Sequence, residues 1–324
     1  MDLLREQVQR FLSFEGENPA RMVNNLDWTA PLSAIDFLRD IGKYFRVGTM
    51  IKKDIVAKRL NSEEGISYTE FSYQILQGLD FLNLYRQYDC VLQTGGSDQW
   101  GNLTSGTELV RKTEGATVHA IGTPLITNSD GTKFGKSEGN AIWLNPELTS
   151  PYAFYQFWLN TADTDVVDRL KVFTFRTRQE IEELGRLTGE EPHRREAQRV
   201  LAADVSTLVH GEDATRKAIE ASAAVFGRGS FEDLDKETLA SVAAALPHAE
   251  VGAGEHLVSD LLVATGLSDS KSAARRVLKE GGASVNNHKV TGEDAVIGES
   301  DLLHGRFALL RRGKKNLAAV TFSA

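Results

Sequence analysis

Cys90-Val91-Leu92-Gln93-Thr94-Gly95-Gly96-Ser97-Asp98-Gln99-Trp100-Gly101-Asn102 is the stretch on which the fold turns. Residues 90–94 read as a short buried strand, residues 95–102 as a Gly-rich loop, and a helix is expected from Thr104 to Lys112. A strand running into such a loop and then a helix is how a parallel α/β sheet presents a ligand site at its carboxyl edge. The glycines let backbone approach a ligand closely, while Asp98 offers an acceptor and Gln99 an amide to ribose or amino-acid groups. Alone, the pattern is more often that of an ordinary strand-to-helix turn.

Two flanking segments sharpen the reading. Upstream, Ser67 and Glu70 form a Ser-x-x-Glu capping pattern ahead of a helical run to about Tyr85. Tyr73, Gln77 and Asp80 fall at i, i+4 and i+7 on it, which aligns a phenol, an amide and a carboxylate, while Phe71, Ile75 and Leu82 mark a core face. The polar stripe holds no lysine or arginine, so it suits a pocket for a small zwitterion with a hydroxyl as well as a solvated face. Downstream, Asp130-Gly131-Thr132-Lys133-Phe134-Gly135-Lys136-Ser137 combines two lysines with two glycines and a serine. Such a loop can wrap a polyphosphate, with mobile cations and approachable backbone N–H groups. It is not a P-loop, which needs four residues between its glycines; here there are three.

Tyr68-Thr69-Glu70-Phe71-Ser72-Tyr73-Gln74-Ile75-Leu76-Gln77, Gly95-Gly96-Ser97-Asp98-Gln99-Trp100-Gly101-Asn102 and Lys133-Phe134-Gly135-Lys136-Ser137 together resemble the bacterial tyrosyl-tRNA synthetase family in order and spacing. The last segment is similar to the class I Lys-Met-Ser-Lys-Ser signature. The resemblance runs from the first residues to Ala324 and departs in one respect. Class I synthetases carry a His-x-Gly-His motif, whereas no two of the histidines here, at 119, 193, 210, 248, 256, 288 and 304, are three apart. Residues 1–30 resemble the middle of the catalytic domain, which implies that its amino-terminal half is absent.

The fold class implied is α/β: a partial Rossmann-type parallel sheet, then a helical bundle, then a small α+β alpha-L domain like that of ribosomal protein S-four. By resemblance, residues 1–122 are the second half of the catalytic domain with a dimer-forming insertion. Residues 123–150 carry the phosphate loop, 151–247 a helical tRNA-contacting domain and 248–324 the alpha-L RNA-binding domain. Within them, helices are expected over Pro31–Gly42 and Met50–Leu60, with a second strand at 117–121. Ser150-Pro151 and Thr177-x-x-Glu180 open helices, and helical runs follow at about 192–210, 213–226 and 235–246. Pro247–Gly254 reads as a Gly/Ala-rich linker.

Composition is that of an ordinary globular chain, 41% hydrophobic and 25% charged over 324 residues. Net charge is −8, which disfavours non-specific coating of nucleic acid. From His256 onward, however, ten Lys/Arg face seven Asp/Glu. Lys271, Arg275 and Lys279 form one helical stripe with Arg276 beside it, and Arg311-Arg312-Gly313-Lys314-Lys315 marks a basic hairpin tip. Two basic elements on an acidic protein point to RNA contact confined to one module. The single cysteine, Cys90, excludes an internal disulfide and fits core packing in a reducing compartment. The start, Met1–Gln7, is charged and helical rather than a signal peptide, and no apolar run approaches the ~20 residues of a membrane span. A cytoplasmic chain without membrane contact is expected, with no metal site and no permanently bound cofactor.

The resemblance implies a tyrosine–tRNA ligase, a homodimer that uses tyrosine, ATP with Mg2+, and tRNA(Tyr). It assigns Lys133, Lys136 and Ser137 to catalysis at the leaving pyrophosphate. Tyr73, Gln77, Asp80 and Gln99 would bind tyrosine. Gly96, Asp98, Leu125, Ile126, Lys133 and Lys136 would bind ATP, and Lys271, Arg275, Arg276, Lys279, Arg311, Arg312, Lys314 and Lys315 would bind RNA. A non-catalytic truncated relative, acting as an RNA-binding or regulatory protein, is the other reading.

Overall fold

In the computed structural model, residues 1–129, 131, 132, 134 and 142–323 are described, and they divide into two units, Met1–Ser137 and Glu138–Ala324. Lys133, Lys136 and Ser137 lie outside the described residues.

The first unit is organised by the helix Tyr68–Tyr88. Ser67 starts it, its Oγ accepting the Glu70 N–H at 3.1 Å. The Glu70 carboxylate does not complete a capping box but pairs with Arg59 at 2.9 and 3.2 Å. Ile75, Leu79 and Leu82 are buried together with Trp28, Ile41 and Met50, and Phe71 packs against them, as the sequence pattern anticipates. A second helix, Trp100–Glu114, lies against the first. Gly106 is what permits the approach: a Cβ there would stand 2.8 Å from Cδ1 of the fully buried Phe81.

Strands β1 (Leu92–Gly96) and β2 (His119–Thr123) pair in parallel, Leu92 opposite His119 and Gly96 opposite Thr123. This is the α/β arrangement expected, but β1 starts two residues late and is not buried. Val91 and Leu92 are about half exposed, because β2 is the neighbour of β1 among the described residues. Cys90 is correspondingly half-buried at the edge of the core. The helix expected at Pro31–Gly42 is broken into Ala34–Asp36, a π turn at Phe37–Ile41 and a 3-10 turn at Gly42–Tyr44; the one expected at Met50–Leu60 starts at Asp54, after a separate helical turn at Val47–Met50.

In the second unit the helix starts are as read. Ser150 Oγ accepts the Ala153 N–H at 3.2 Å with Pro151 at the first position, and Thr177 and Glu180 form a complete capping box. Helices Pro151–Leu159, Val166–Phe173, Arg178–Glu190, Glu196–His210, Glu212–Val225 and Lys236–Ala244 follow. The expected linker is not one. His248–Val251 forms β3, parallel to the last strand and hydrogen-bonded along it, because Ala249 and Val251 turn inward while His248 and Glu250 stay exposed.

The remaining strands are β4 (His256–Leu257), β5 (Ala283–Val285), β6 (His288–Val290), β7 (Val296–Ile297), β8 (Phe307–Arg312) and β9 (Asn316–Phe322). Five of them form a sheet in the order β3-β9-β8-β5-β6. Strands β8 and β9 are buried on both faces. Ala308, Leu310, Ala318 and Val320 pack under the helices Val258–Ala264 and Lys271–Lys279. Phe307, Leu309, Leu317 and Ala319 pack against Tyr152, Ala221, Ala224 and Leu239 of the helical segment. The period of two thus joins bundle and tail into one body. No helix of the described residues is long and apolar enough to cross a membrane.

Gly106→Ala should destabilise the first unit by about 1–3 kcal/mol, since Phe81 is locked and must shift; chemical denaturation checks this. A second prediction concerns Lys53, whose ammonium donates to the Gly101 carbonyl and to Ser105 Oγ at a recess of about 300 Å3. Burial pulls its pKa down to about 8, against the attraction of Glu108. The unfolded chain holds that proton more tightly, so this group makes stability rise with pH from about 8 to its ordinary 10.5. Lys53→Met should remove that increment, read as the wild-type-minus-variant difference in denaturation midpoint on either side of the window.

Candidate active site and RNA-facing surface

Asp80 lies on the Tyr68–Tyr88 helix one turn beyond Gln77 and two beyond Tyr73. Its carboxylate is held by two residues the sequence stripe does not contain. Trp28 Nε1 donates to Oδ1 at 2.8 Å, and Asn25 Nδ2 donates to Oδ2 at 3.3 Å. Each oxygen keeps a lone pair free for a further donor. Trp28 is itself buried in the helix core, so the acceptor is anchored to the packing of the whole unit. Trp28 is separated from Asp80 by 52 positions, and no local periodicity could have found it. Tyr73 is 58% exposed and Gln77 half-buried, so the stripe faces outward while its last member is fixed.

The carboxyl end of β1 carries the second cluster. Gly95 and Gly96 end the strand, and Ser97–Gln99 makes a 3-10 turn into the Trp100–Glu114 helix. A Cβ on Gly96 would meet Asp98 Oδ1 at 2.7 Å and Leu125 Cδ2 at 3.3 Å, so three sequence-selected residues converge here. Gly96 has no room for a side chain, because the Asp98 carboxylate and Leu125 close directly against its backbone. Gln99 is oriented by Asn102, whose amide donates to its Oε1 at 3.1 Å. Trp100 lies against Gly122 of β2, and Thr123 Oγ1 donates to the Gly95 carbonyl at 3.3 Å, tying the two strand ends.

Leu125 and Ile126 follow β2. From Ile126 the chain doubles back: Phe134 N–H donates to the Ile126 carbonyl at 3.1 Å, and Asn128 N–H to the Thr132 carbonyl at 2.8 Å. The described part of this segment is therefore a tight turn that begins beside Leu125.

In the tail the basic residues separate into two kinds. Arg311 Nη2 donates to the Val225 carbonyl at 2.8 Å and to Asn287 Oδ1 at 3.0 Å, and Arg312 Nη1 donates to the Leu267 carbonyl at 2.6 Å. Burial lowers the pKa of Arg311. These two guanidiniums clamp the β8–β9 hairpin, while Lys314 and Lys315 at its tip are exposed. On the helix Lys271–Lys279, Lys271 pairs with Asp260 at 3.0 Å and Lys279 reaches Glu293 at 3.9 Å; Arg275 and Arg276 are exposed.

Trp28→Phe keeps most of the apolar volume but leaves Asp80 Oδ1 without its donor. It should cost about 1–3 kcal/mol of stability and let the carboxylate rotate, weakening any phenol bound to it. Denaturant unfolding reads the first effect and equilibrium binding of tyrosine the second; unaltered tyrosine binding would remove Trp28 from this role.

Residues 1–227 match the family model of class I tRNA synthetases (W and Y), and residues 238–320 match that of the tyrosine–tRNA ligase SYY-like C-terminal domain. The tyrosine–tRNA ligase of Leifsonia xyli subsp. xyli is 67% identical over 318 residues, covering 98% of this chain and 72% of its own length. That of Streptomyces avermitilis is 62% identical over 321 residues, covering 99% and 76%. Among solved structures, the C-terminally truncated mitochondrial tyrosyl-tRNA synthetase of Coccidioides posadasii aligns with a TM-score of 0.54 at 30% identity, over 66% of this chain and 64% of that one. The Aspergillus nidulans counterpart gives 0.50 at 32%, over 62% and 58%. The expectation that an amino-terminal half of the catalytic domain is lacking is not borne out: the class I model matches from residue 1. The chain spans about three quarters of the length of these curated relatives. By sequence along nearly its whole length, the chain belongs to the class I tRNA synthetases of the tryptophan and tyrosine group.

Proposed function

We propose that this protein is a tyrosine–tRNA ligase that activates tyrosine with ATP and transfers it to the 3′ end of tRNA(Tyr). The observation that carries the reading is Asp80, a carboxylate held by Trp28 and Asn25 with acceptor capacity to spare. The convergence of Gly96, Asp98 and Leu125 at the β1 edge supports a nucleotide at that edge, and the relatives' shared name supports the reaction.

In the first step the tyrosine carboxylate oxygen attacks the α-phosphorus of ATP. A P–O bond to tyrosine forms, the bond to the β-phosphate oxygen breaks, and pyrophosphate leaves. Asp80 accepts the substrate's phenolic O–H, Tyr73 and Gln77 hold its ammonium, and Gln99 orients the carboxylate. Gly96 and Asp98 receive the ribose; Leu125 and Ile126 border the adenine. Lys133 and Lys136 neutralise the charge that grows on the pyrophosphate, with Ser137 assisting. Mg2+ arrives with ATP as part of that substrate. In the second step a ribose hydroxyl of tRNA attacks the tyrosyl carbonyl carbon and AMP departs. The exposed cations of the tail, Arg275, Arg276, Lys314 and Lys315, contribute to holding the tRNA. The enzyme works in the cytoplasm as a homodimer.

Tyrosine-dependent ATP–pyrophosphate exchange tests the reading, and no exchange by the wild-type chain sinks it. Tyrosyl-tRNA synthetases are the known example of rejecting phenylalanine through an unpaired polar group. Accordingly, Asp80→Ala should cut the preference for tyrosine over phenylalanine by about tenfold or more. Lys133→Ala should lower the exchange rate far more than tyrosine affinity; equal losses in both would argue against action in the transition state.

A further inference from the structure

Lys53 occupies the N-cap position of the Asp54–Leu60 helix, but its ammonium crosses to another element. It donates to the Gly101 carbonyl and to Ser105 Oγ, both on the helix Trp100–Glu114. The Gly101 carbonyl also accepts from Ser105 Oγ at 2.8 Å and from Thr104 Oγ1 at 3.2 Å, so three side chains converge on one oxygen. Glycine at 101 admits the lysine stem, because a Cβ there would lie 3.3 Å from Lys53 Cδ. Gly101 is two residues beyond Gln99 and three beyond Asp98.

An ammonium at this point runs against two forces. Burial disfavours its charge and pulls its pKa down to about 8. The positive end of the Trp100–Glu114 helix repels it as well. Among the described residues no carboxylate forms an ion pair with it. Glu108, whose charge favours the ammonium, is itself held by Arg111 at 2.9 Å and Lys112 at 3.7 Å. Arg46, Lys112 and the Tyr44 phenol also line the recess, and none of them brings a carboxylate. Stability alone would favour an apolar residue here, and proteins accept such a loss where activity gains from it.

The start of the helix shows what is gained. Gln99 occupies its N-cap position, yet no side chain caps it. The first turn therefore lacks the usual means of being fixed, while Gln99, whose Oε1 accepts from Asn102, keeps its amide for a ligand. We propose that Lys53 is a positioning residue: through the Gly101 carbonyl and Ser105 Oγ it fixes the first turn of this helix, and with it the placement of Gln99 and Asp98 toward tyrosine and ATP. It acts through the helix and not on the substrates. The inference rests on the function proposed above and deepens the account of the same site.

The test is tyrosine-dependent ATP–pyrophosphate exchange by the full chain, with kcat and the tyrosine KM measured across the pH range around 8. Lys53→Met should lower kcat about tenfold at neutral pH and move the tyrosine KM less than about threefold, since misplacing an orienting group costs rate before affinity. An uncharged amine keeps its protons but loses the charge assistance that strengthens its bonds. The ratio of wild-type to Lys53→Met kcat should therefore shrink as pH rises through about 8. Lys53→Arg, whose guanidinium stays charged, should hold its ratio to Lys53→Met constant over the same range. A Lys53→Met chain that matches wild type in kcat at every pH, whatever its unfolding midpoint, overturns the positioning role and leaves the wider reading standing. A loss confined to the tyrosine KM, or an identical decline in the Lys53→Arg ratio, overturns it too. A wild-type chain that shows no exchange overturns both.

Discussion

The β8–β9 hairpin is the element through which the second unit holds together. Its odd-numbered apolar residues, Phe307, Leu309, Leu317 and Ala319, belong to one core, and its even-numbered ones, Ala308, Leu310, Ala318 and Val320, to another. A strand buried on both faces cannot slip by one residue without exchanging every side chain between two differently shaped cores. Register is therefore doubly specified, and the helical segment and the tail fold as partners. Leu309 and Leu310 are both fully buried, so the usual gain from excluding a large apolar side chain, about 1.5–3 kcal/mol, applies on both sides of the same ribbon. Charge-assisted bonds to carbonyls reinforce both sides, Arg311 tying the hairpin to the helical segment at Val225 and Arg312 tying it to the tail's own helices at Leu267.

The first unit solves a different problem, the fixing of a charged acceptor. Asp80 takes one bond from a buried indole and one from an exposed amide, and the indole is held by the core behind it. Close packing of the helices Tyr68–Tyr88 and Trp100–Glu114, made possible at Gly106, holds that core in turn and sets the start of the second helix beside Gly95 and Gly96. Packing geometry, more than local charge, thus positions the polar groups of the site.

Much of this was legible in the sequence where the determinants are local. Caps at Ser67, Ser150 and Thr177 act over three residues, and a reader sees both partners at once. The grouping of Gly96 with Asp98 follows from a two-residue offset in a tight turn. What was not legible depends on distance along the chain. Trp28 meets Asp80 only after folding, and the inward turn of Arg311 depends on a carbonyl 86 residues away. The strand at His248–Val251 passed for a linker because its Gly, Ala and Pro neighbours carry turn signals, and its pairing partner comes at the far end of the chain. Exposure of Val91 and Leu92 contradicts their apolar character, since hydrophobicity reports a preference for burial but not what is present to bury it.

The clamp formed by Arg311 has a mechanical consequence. By gripping the Val225 carbonyl it removes the hinge that a tail on a tether would have, so the hairpin tip and the end of the Glu212–Val225 helix keep a fixed separation. A ligand long enough to touch both meets a rigid gauge rather than two independent fingers, and the second contact forms without the entropic charge of a search. Shape matching is then all-or-none: a strand whose curvature fits one point but misses the other gains little, and discrimination among similar polyanions arises from spacing alone.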